Sequence, residues 1–156
     1  AWIPGREVPE GGFTPPSAAL GNSIIAPSFR TSTEGRISAS QEWKSDDNFD
    51  DPRELFGLDF ENLKPNARYT FRCKSYHFEA VPHHIRVFAV QRDGNMMPLA
   101  RMTVGQEATR YRWGEDSFIF ESRSFTHVRI VAVGPESPNS YPFRVLWDEW
   151  ALFETP

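Results

Sequence analysis

The chain has 156 residues, of which 14% are aromatic and 24% charged, and its formal net charge at pH 7 is −4. One domain of this length buries most of its apolar surface, and the composition excludes a disordered chain. Nucleic acid is disfavoured as a partner, because binding to phosphates depends on an excess of Lys and Arg. The sequence has no run of about 18 apolar residues, the length that would predict a membrane span.

The N-terminal segment, residues 1–27, is rich in Pro and Gly, and residues 11–16 exclude a helix. We interpret residues 1–27 as an N-terminal arm laid along the domain, or as a linker from a preceding domain. Residues 28–156 then form the domain itself. The first five residues lack the basic segment and apolar core of a signal peptide, so we expect a mature N-terminus or a cut from a longer chain.

From residue 36 onward, apolar residues recur with a period of two, which is typical of half-buried strands. Residues 54–60 fit a short helix or a strand, and Gly57 slightly favours the strand. Residues 63–67 predict a turn, and Asp93 with Gly94 predicts a hairpin turn. Strands are predicted over residues 36–43, 68–79, 85–91, 97–104, 109–113, 117–121, 127–133 and 142–154. About eight or nine strands between turn residues, with no long helical period, predict an all-β, antiparallel β-sandwich.

Three short motifs indicate a family. The run LKPNARYTF (residues 63–71) resembles the strand entry of jelly-roll carbohydrate-binding modules. Residues 145–154, with Asp148 before an apolar-x-apolar finish, look like their closing strand, and residues 124–130 are similar to the strand before their last loop. Residues 36–154 therefore resemble such a galactose-binding-like module. The Asn-Gly-x-Phe-Glu opening strand of these modules, which often supplies ligands to their calcium site, is absent from this sequence.

Candidate ligand-binding residues lie off the predicted core face. A sugar ring has an apolar face that stacks on aromatic rings, while charged groups bond its hydroxyls. The outward-facing set of residues 68–79 and the aromatic-Arg-aromatic run 111–113 meet both needs. The predicted ligand-binding residues are Trp113, Tyr111, Tyr76, Trp43, Arg72, Arg112 and Lys74. For each ring the alternative is packing in the core or between strands, and for Trp147 and Trp150 core packing is favoured.

Other chemistry is less well supported. The acidic loop 46–51 offers oxygen ligands for a structural calcium ion, but a solvated loop is the favoured alternative, and no other cofactor is predicted. His77, His83, His84 and His127 do not have the spacing of a metal site. The single cysteine, Cys73, is predicted to be a buried thiol. No nucleophile elbow or phosphate-binding loop is present, so we predict no enzymatic activity.

The resemblance implies a non-catalytic carbohydrate-binding domain whose partner is a polysaccharide or another glycan. Similar domains also occur in viral and phage appendages. The alternative is therefore a structural or host-attachment domain of a virion or tail fibre, with the N-terminal arm contacting neighbouring domains or subunits. A glycan-processing enzyme, with carboxylates brought together from distant strands, is a weaker alternative. The predicted location is accordingly extracellular or on a virion surface.

Overall fold

The computed structural model describes residues 6–8, 10–14, 23–28, 38–43, 57–77, 83–105, 111–133 and 143–155. All regular structure in these segments is strand, and every strand pair is antiparallel. The strands are β1 (Arg6–Val8), β2 (Glu10–Thr14), β3 (Ser23–Ser28), β4 (Ser38–Trp43), β5 (Gly57–Phe60), β6 (Arg68–His77), β7 (His83–Val90), β8 (Met96–Val104), β9 (Trp113–Glu121), β10 (Val128–Val133) and β11 (Phe143–Glu154). None of these segments contains a helix that could cross a membrane.

The strands form two sheets. The six-stranded sheet has the order β3-β4-β11-β6-β9, with β1 also paired to β11, and the five-stranded sheet has the order β2-β5-β10-β7-β8. Because side chains alternate between the faces of a strand, each sheet presents one face to the core and one outward. The predicted all-β, antiparallel sandwich is confirmed.

The core lies between the two inner faces and is built largely from aromatic rings. Phe71 on β6 contacts Trp150 on β11 edge to face, with ring centroids 5.4 Å apart, and Trp150 contacts Trp147 in the same way at 5.2 Å. Phe60 and Ile130 of the opposite sheet are fully buried in the same cluster. The prediction that Trp147 and Trp150 are core residues is confirmed.

The N-terminal segment contributes three strands to the sheets. β1 pairs with β11, β2 with β5 and β3 with β4. The domain boundary predicted between residues 27 and 28 falls inside β3, whose pairing with β4 continues to Ser28. Whether residues 1–27 also act as a linker or contact other subunits stays a prediction.

Two local predictions are decided by backbone geometry. Residues 57–60 form β5, which confirms the strand interpretation for this part of residues 54–60. The strand predicted over residues 109–113 is wrong at Tyr111 and Arg112, which form a turn, and β9 runs from Trp113 to Glu121. Tyr111 has a φ of 62°, which a strand cannot contain. The alternation of residue types continues across this turn and hides it.

The predicted hairpin turn between β7 and β8 is confirmed. The Gly94 N–H donates to the Gln91 carbonyl at 3.0 Å, and the Gln91 N–H donates to the Asn95 carbonyl at 2.8 Å. Gly94 has a φ of 85°, a conformation that glycine adopts without steric cost. Asp93 accepts a bond from the Asn95 N–H, which closes the turn.

Cys73 lies fully buried on the core side of β6, as predicted. Burial, followed by the charges of Asp116 and Glu115, raises the pKa of this thiol well above its ordinary value. Because the thiolate is the reactive form, we expect the native protein at pH 8 to react with a chromogenic disulfide reagent at least about tenfold more slowly than the urea-unfolded protein. Equal rates in the two states would contradict this assignment.

Candidate functional site

The outward face of the six-stranded sheet carries most of the predicted site residues. In the antiparallel pairing of β6 with β9, Tyr76 lies opposite Trp113 and Lys74 opposite Glu115. Two residues further along β6, Arg72 lies opposite Ser117. Arg72, Lys74 and Tyr76 are all partly exposed, whereas the residues that alternate with them on β6 are buried. The outward set predicted from the sequence is therefore the set that faces away from the core.

The Tyr76 and Trp113 rings contact each other across the two strands. Their centroids are 5.6 Å apart, and the ring planes are tilted by 58°. Both residues are only partly buried, so the contact leaves part of the pair accessible. The indole Nε1 of Trp113 is buried and has no hydrogen-bond partner in the described part of the chain. In this conformation Trp113 would therefore contact a ligand through its ring rather than through its N–H.

Tyr111 lies in the turn just before Trp113, and its backbone contacts the end of β6. Its side chain is 58% exposed, and it is one of two exposed large hydrophobic residues among those described, the other being Ile119. The Tyr111 N–H donates to the carbonyl of His77, the residue after Tyr76, at 2.8 Å. We call Tyr76, Trp113 and Tyr111 the aromatic patch.

Charged residues surround the aromatic patch. Lys74 lies between Glu115 of β9 and the register position of Asp148 in β11. The Arg72 guanidinium lies over the Phe153 ring, 5.5 Å from its centroid. Arg112 is exposed in the turn between Tyr111 and Trp113. Lys74, Glu115 and Arg72 thus place donors and an acceptor for hydroxyl groups on the same face as Tyr76 and Trp113.

Trp43 is placed differently from the other six predicted residues. The pairing of β4 with β11 sets Gln41 opposite Val145 and Trp43 opposite Phe143. In the pairing of β6 with β11, by contrast, Tyr76 lies opposite Leu146. In addition, β11 lies between β4 and β6. The backbone does not bring Trp43 to the aromatic patch.

The outward face of the five-stranded sheet carries a polar cluster that the sequence did not reveal. Arg129 Nη2 donates to Asp59 Oδ2 at 2.6 Å, and Arg129 Nε donates to Asp59 Oδ1 at 3.1 Å. His127 Nε2 lies 3.1 Å from the same Asp59 Oδ1. Arg129 is only 9% exposed. Asp59 and Arg129 each stand between two apolar residues of their strand. This alternation predicts that both side chains face outward, but it does not predict that they contact each other.

The same face offers no open aromatic ring among the described residues. Arg86 lies over Phe88, with its guanidinium 4.7 Å from the ring centroid, and Phe88 is only 4% exposed. His84 is buried and shares a hydrogen bond of 3.3 Å with the Thr103 hydroxyl. Among the described residues, rings that a ligand could stack on are therefore found in the aromatic patch and not on this face.

Comparison with solved structures identifies the fold. The CBM22-1 xylan-binding domain of Xyn10C from Paenibacillus barcinonensis superposes with a TM-score of 0.59 at 11% identity, over 99% of this chain and 97% of that one. The C-terminal family 22 carbohydrate-binding module of Xyn10B from Clostridium thermocellum superposes with a TM-score of 0.53 at 16% identity, over 86% and 83%. The chain has the β-sandwich fold of carbohydrate-binding modules. This confirms in fold the resemblance seen in the sequence.

Other comparisons show that the similarity to solved structures extends to the fold and not to the ligand. A structure of the CBM22-1 and GH10 modules of Clostridium thermocellum Xyn10B, complexed with xylohexaose, matches 85% of this chain with a TM-score of 0.51 at 10% identity. The chain spans only 25% of the length of that protein. No protein-family model and no curated protein matches the chain. The fold is thus shared at identities too low to carry ligand specificity across.

Metal binding stays a prediction. Within the segments that the structure describes, no group of three or more His, Cys, Asp or Glu residues is arranged to hold a metal ion. His77 is buried and shares a hydrogen bond of 3.1 Å with the Ser75 hydroxyl. The acidic loop 46–51, which offers oxygen ligands for a calcium ion, lies outside the described residues.

Proposed function

We propose that this protein is a non-catalytic module that binds polysaccharide on the aromatic patch. The observation that carries the proposal is the partly exposed Tyr76–Trp113 ring pair on a face built from two long paired strands, with the exposed residue Tyr111 two positions before Trp113 in the chain. A sugar ring has an apolar face that gains free energy by stacking on such rings. Neighbouring exposed apolar side chains are a common feature of ligand-binding surfaces.

The residues next to the patch suit a chain of sugars. Successive outward rows on β6 and β9 lie about 7 Å apart, since a strand rises about 3.3 Å per residue. The row after Tyr76 and Trp113 is Lys74 and Glu115, and the next includes Ser117. A linear glycan that lies along the strands would meet rings first and then donors and acceptors for its hydroxyls. We propose a xylan-type polysaccharide, the ligand named for the structural neighbour from Paenibacillus barcinonensis.

Polysaccharide binding at the aromatic patch does not require a chemical reaction there. Structural neighbours that are xylan-binding domains give the precedent for a non-catalytic sandwich that binds a polysaccharide. An extracellular location belongs to the same proposal, because polymeric glycans are met outside the cell. The structures described above include no viral protein, so host attachment has no support from them.

The proposal predicts retarded migration in native gels that contain xylan, compared with gels that contain other polysaccharides or none. Replacing Trp113 or Tyr76 with Ala should weaken binding about tenfold or more, because truncation of an aromatic anchor typically costs more than 1 kcal/mol. Calorimetric titration with xylo-oligosaccharides measures the change directly.

Two control variants separate the possible outcomes. Ile119→Ala shortens an exposed apolar side chain on the same strand as Trp113 and should leave affinity within about twofold. Arg86→Ala alters the outward face of the other sheet and should do the same. Loss of binding in Arg86→Ala with retention in Trp113→Ala would overturn the site. Absence of binding to every polysaccharide tested would overturn the function, and release of reducing sugar would overturn its non-catalytic character.

A further inference from the structure

We infer that β8 and β9, the edge strands on one side of the sandwich, are each protected against pairing with a strand of another molecule. In the described part of the chain, each is paired on one side only, β8 with β7 and β9 with β6. The two strands lie close together, because the N–H of Gly105, just after β8, donates to Asp116 Oδ2 of β9 at 3.3 Å. An edge strand presents unpaired N–H and C=O groups to other chains. The inference goes beyond glycan binding and does not depend on it.

The side chains of β8 favour association with other molecules. Its partly exposed residues include Met96, Met97, Leu99 and Met102, and its only charged residue is Arg101. Apolar side chains on an edge strand promote contact with another chain. Charge therefore gives β8 little protection, so its protection has to come from the backbone.

The backbone of β8 is irregular in the middle of the strand. Pro98 lies opposite Phe88, and the register then shifts, so that Ala100 lies opposite Val87 and Leu99 has no opposite residue on β7. Proline has no N–H, and within a sheet it is confined to edge strands, strand starts and bulges. A β-bulge bends the strand and increases its twist. An incoming strand would meet a missing donor next to a change of register, which leaves only short regular runs on either side.

The strand β9 is regular, and its protection is electrostatic. Its register with β6 runs unbroken from Trp113 to Glu121. All three of its charged residues are acidic, namely Glu115, Asp116 and Glu121, and both glutamates are exposed. Two copies of β9 in antiparallel pairing would bring together three carboxylates from each strand, with no Lys or Arg from either. Like charges on paired strands oppose the pairing.

The two kinds of protection complement each other. The carboxylates of β9 do not oppose a pair between β9 of one molecule and β8 of another, because β8 carries Arg101 and no acidic residue. Pro98 and the bulge oppose that pair, and they also oppose the pairing of two β8 strands. Each pair that the two edges could form therefore meets at least one obstacle.

Removing either obstacle should allow the molecules to associate. Pro98→Thr restores an N–H donor in β8, and the double variant Glu115→Gln, Glu121→Gln removes two charges from β9 with almost no change of shape. We expect both variants to self-associate at least about tenfold more tightly than the parent protein, as measured by sedimentation equilibrium between about 10 and 500 μM. Combining the three substitutions should give the tightest association.

Matched controls make the same chemical changes away from the two edge strands. Pro65→Thr alters an exposed turn residue, and Glu61→Gln combined with Glu154→Gln removes two charges outside β8 and β9. These controls should associate no more than the parent protein.

Circular dichroism shows whether each variant is folded, and the β9 double variant tests the inference even if Pro98→Thr does not fold. Edge variants that associate no more tightly than the controls would overturn the inference. A parent protein that already pairs through β8 or β9 would contradict it as well, and slower hydrogen exchange of the amides of these strands at higher protein concentration would reveal that pairing.

Discussion

Replacing Asp59 with Asn should lower the free energy of unfolding by about 3–5 kcal/mol. Asp59 accepts two bonds from Arg129, at 2.6 Å and 3.1 Å, and the side chains of these residues are only 15% and 10% exposed. Asn has nearly the same shape, so no cavity forms, but it removes the negative charge to which the largely buried guanidinium is bonded. The loss comes from the removal of that charge from a desolvated site rather than from the net contribution of the pair.

A neighbouring carboxylate provides the matched control. Glu61 lies two residues along the chain, is 56% exposed, and is 4.0 Å from His127 Nδ1. Because exposed ion pairs contribute about 0–1 kcal/mol, Glu61→Gln should change stability by no more than that. Urea unfolding followed by far-ultraviolet circular dichroism measures both variants. Equal effects of Asp59→Asn and Glu61→Gln would show that the cluster is not a desolvated pair.

A double-mutant cycle tests whether Asp59 and Arg129 are directly coupled. Arg129→Met removes the positive charge to which Asp59 is bonded, and the unbranched apolar chain of Met fills similar space. The double variant should therefore be more stable than the sum of the two single changes predicts, by about 1–3 kcal/mol. Additive effects would contradict a direct coupling between the two side chains.

Alternation within one strand correctly predicted which side chains face the core and which face outward. Along β6, Tyr69, Phe71 and Cys73 are buried, and Arg72 and Lys74 are partly exposed, in the order that a period of two requires. The same alternation placed Tyr76 on the outward face. These assignments need no knowledge of which strands pair, so they could be made before the sheet order was known.

Contacts that depend on pairing could not be predicted in this way. Asp59 and Arg129 are 70 residues apart in the sequence, and their contact requires β5 and β10 to be neighbours in a particular register. The contact of Tyr76 with Trp113 likewise depends on the register of β6 against β9. The glycines of β2 excluded a helix but did not predict a strand, although a strand at the end of a sheet tolerates glycine.

The end of the chain shows a third limit. Trp147 and Trp150 are three residues apart, so a regular strand would place them on opposite faces. The pairing of β11 with β6 shifts between Asp148 and Ala151, and two residues of β11 there face one residue of β6. This β-bulge brings both indoles into the core. The residue types indicated burial, but no local pattern indicated the bulge.

Replacing Trp147 with Ala should lower the free energy of unfolding by about 3–5 kcal/mol, the usual cost of removing a large buried ring. Trp147 is 2% exposed and contacts Trp150 at 5.2 Å, and the latter contacts Phe71, so the cavity would open beside a chain of rings. Urea unfolding followed by circular dichroism avoids the change in tryptophan fluorescence that the substitution itself causes.

Trp113→Ala is the matched comparison, because it makes the same chemical change at a partly exposed position on the outward face. Its ring contacts Tyr76 across the strands, so some loss is expected, on the order of 1–2 kcal/mol. A loss as large as that of Trp147→Ala would mean that Trp113 is held mainly for packing. The aromatic patch would then lose its central ring as a ligand contact, and the weaker binding of the Trp113 variant would have to be attributed to unfolding rather than to lost stacking.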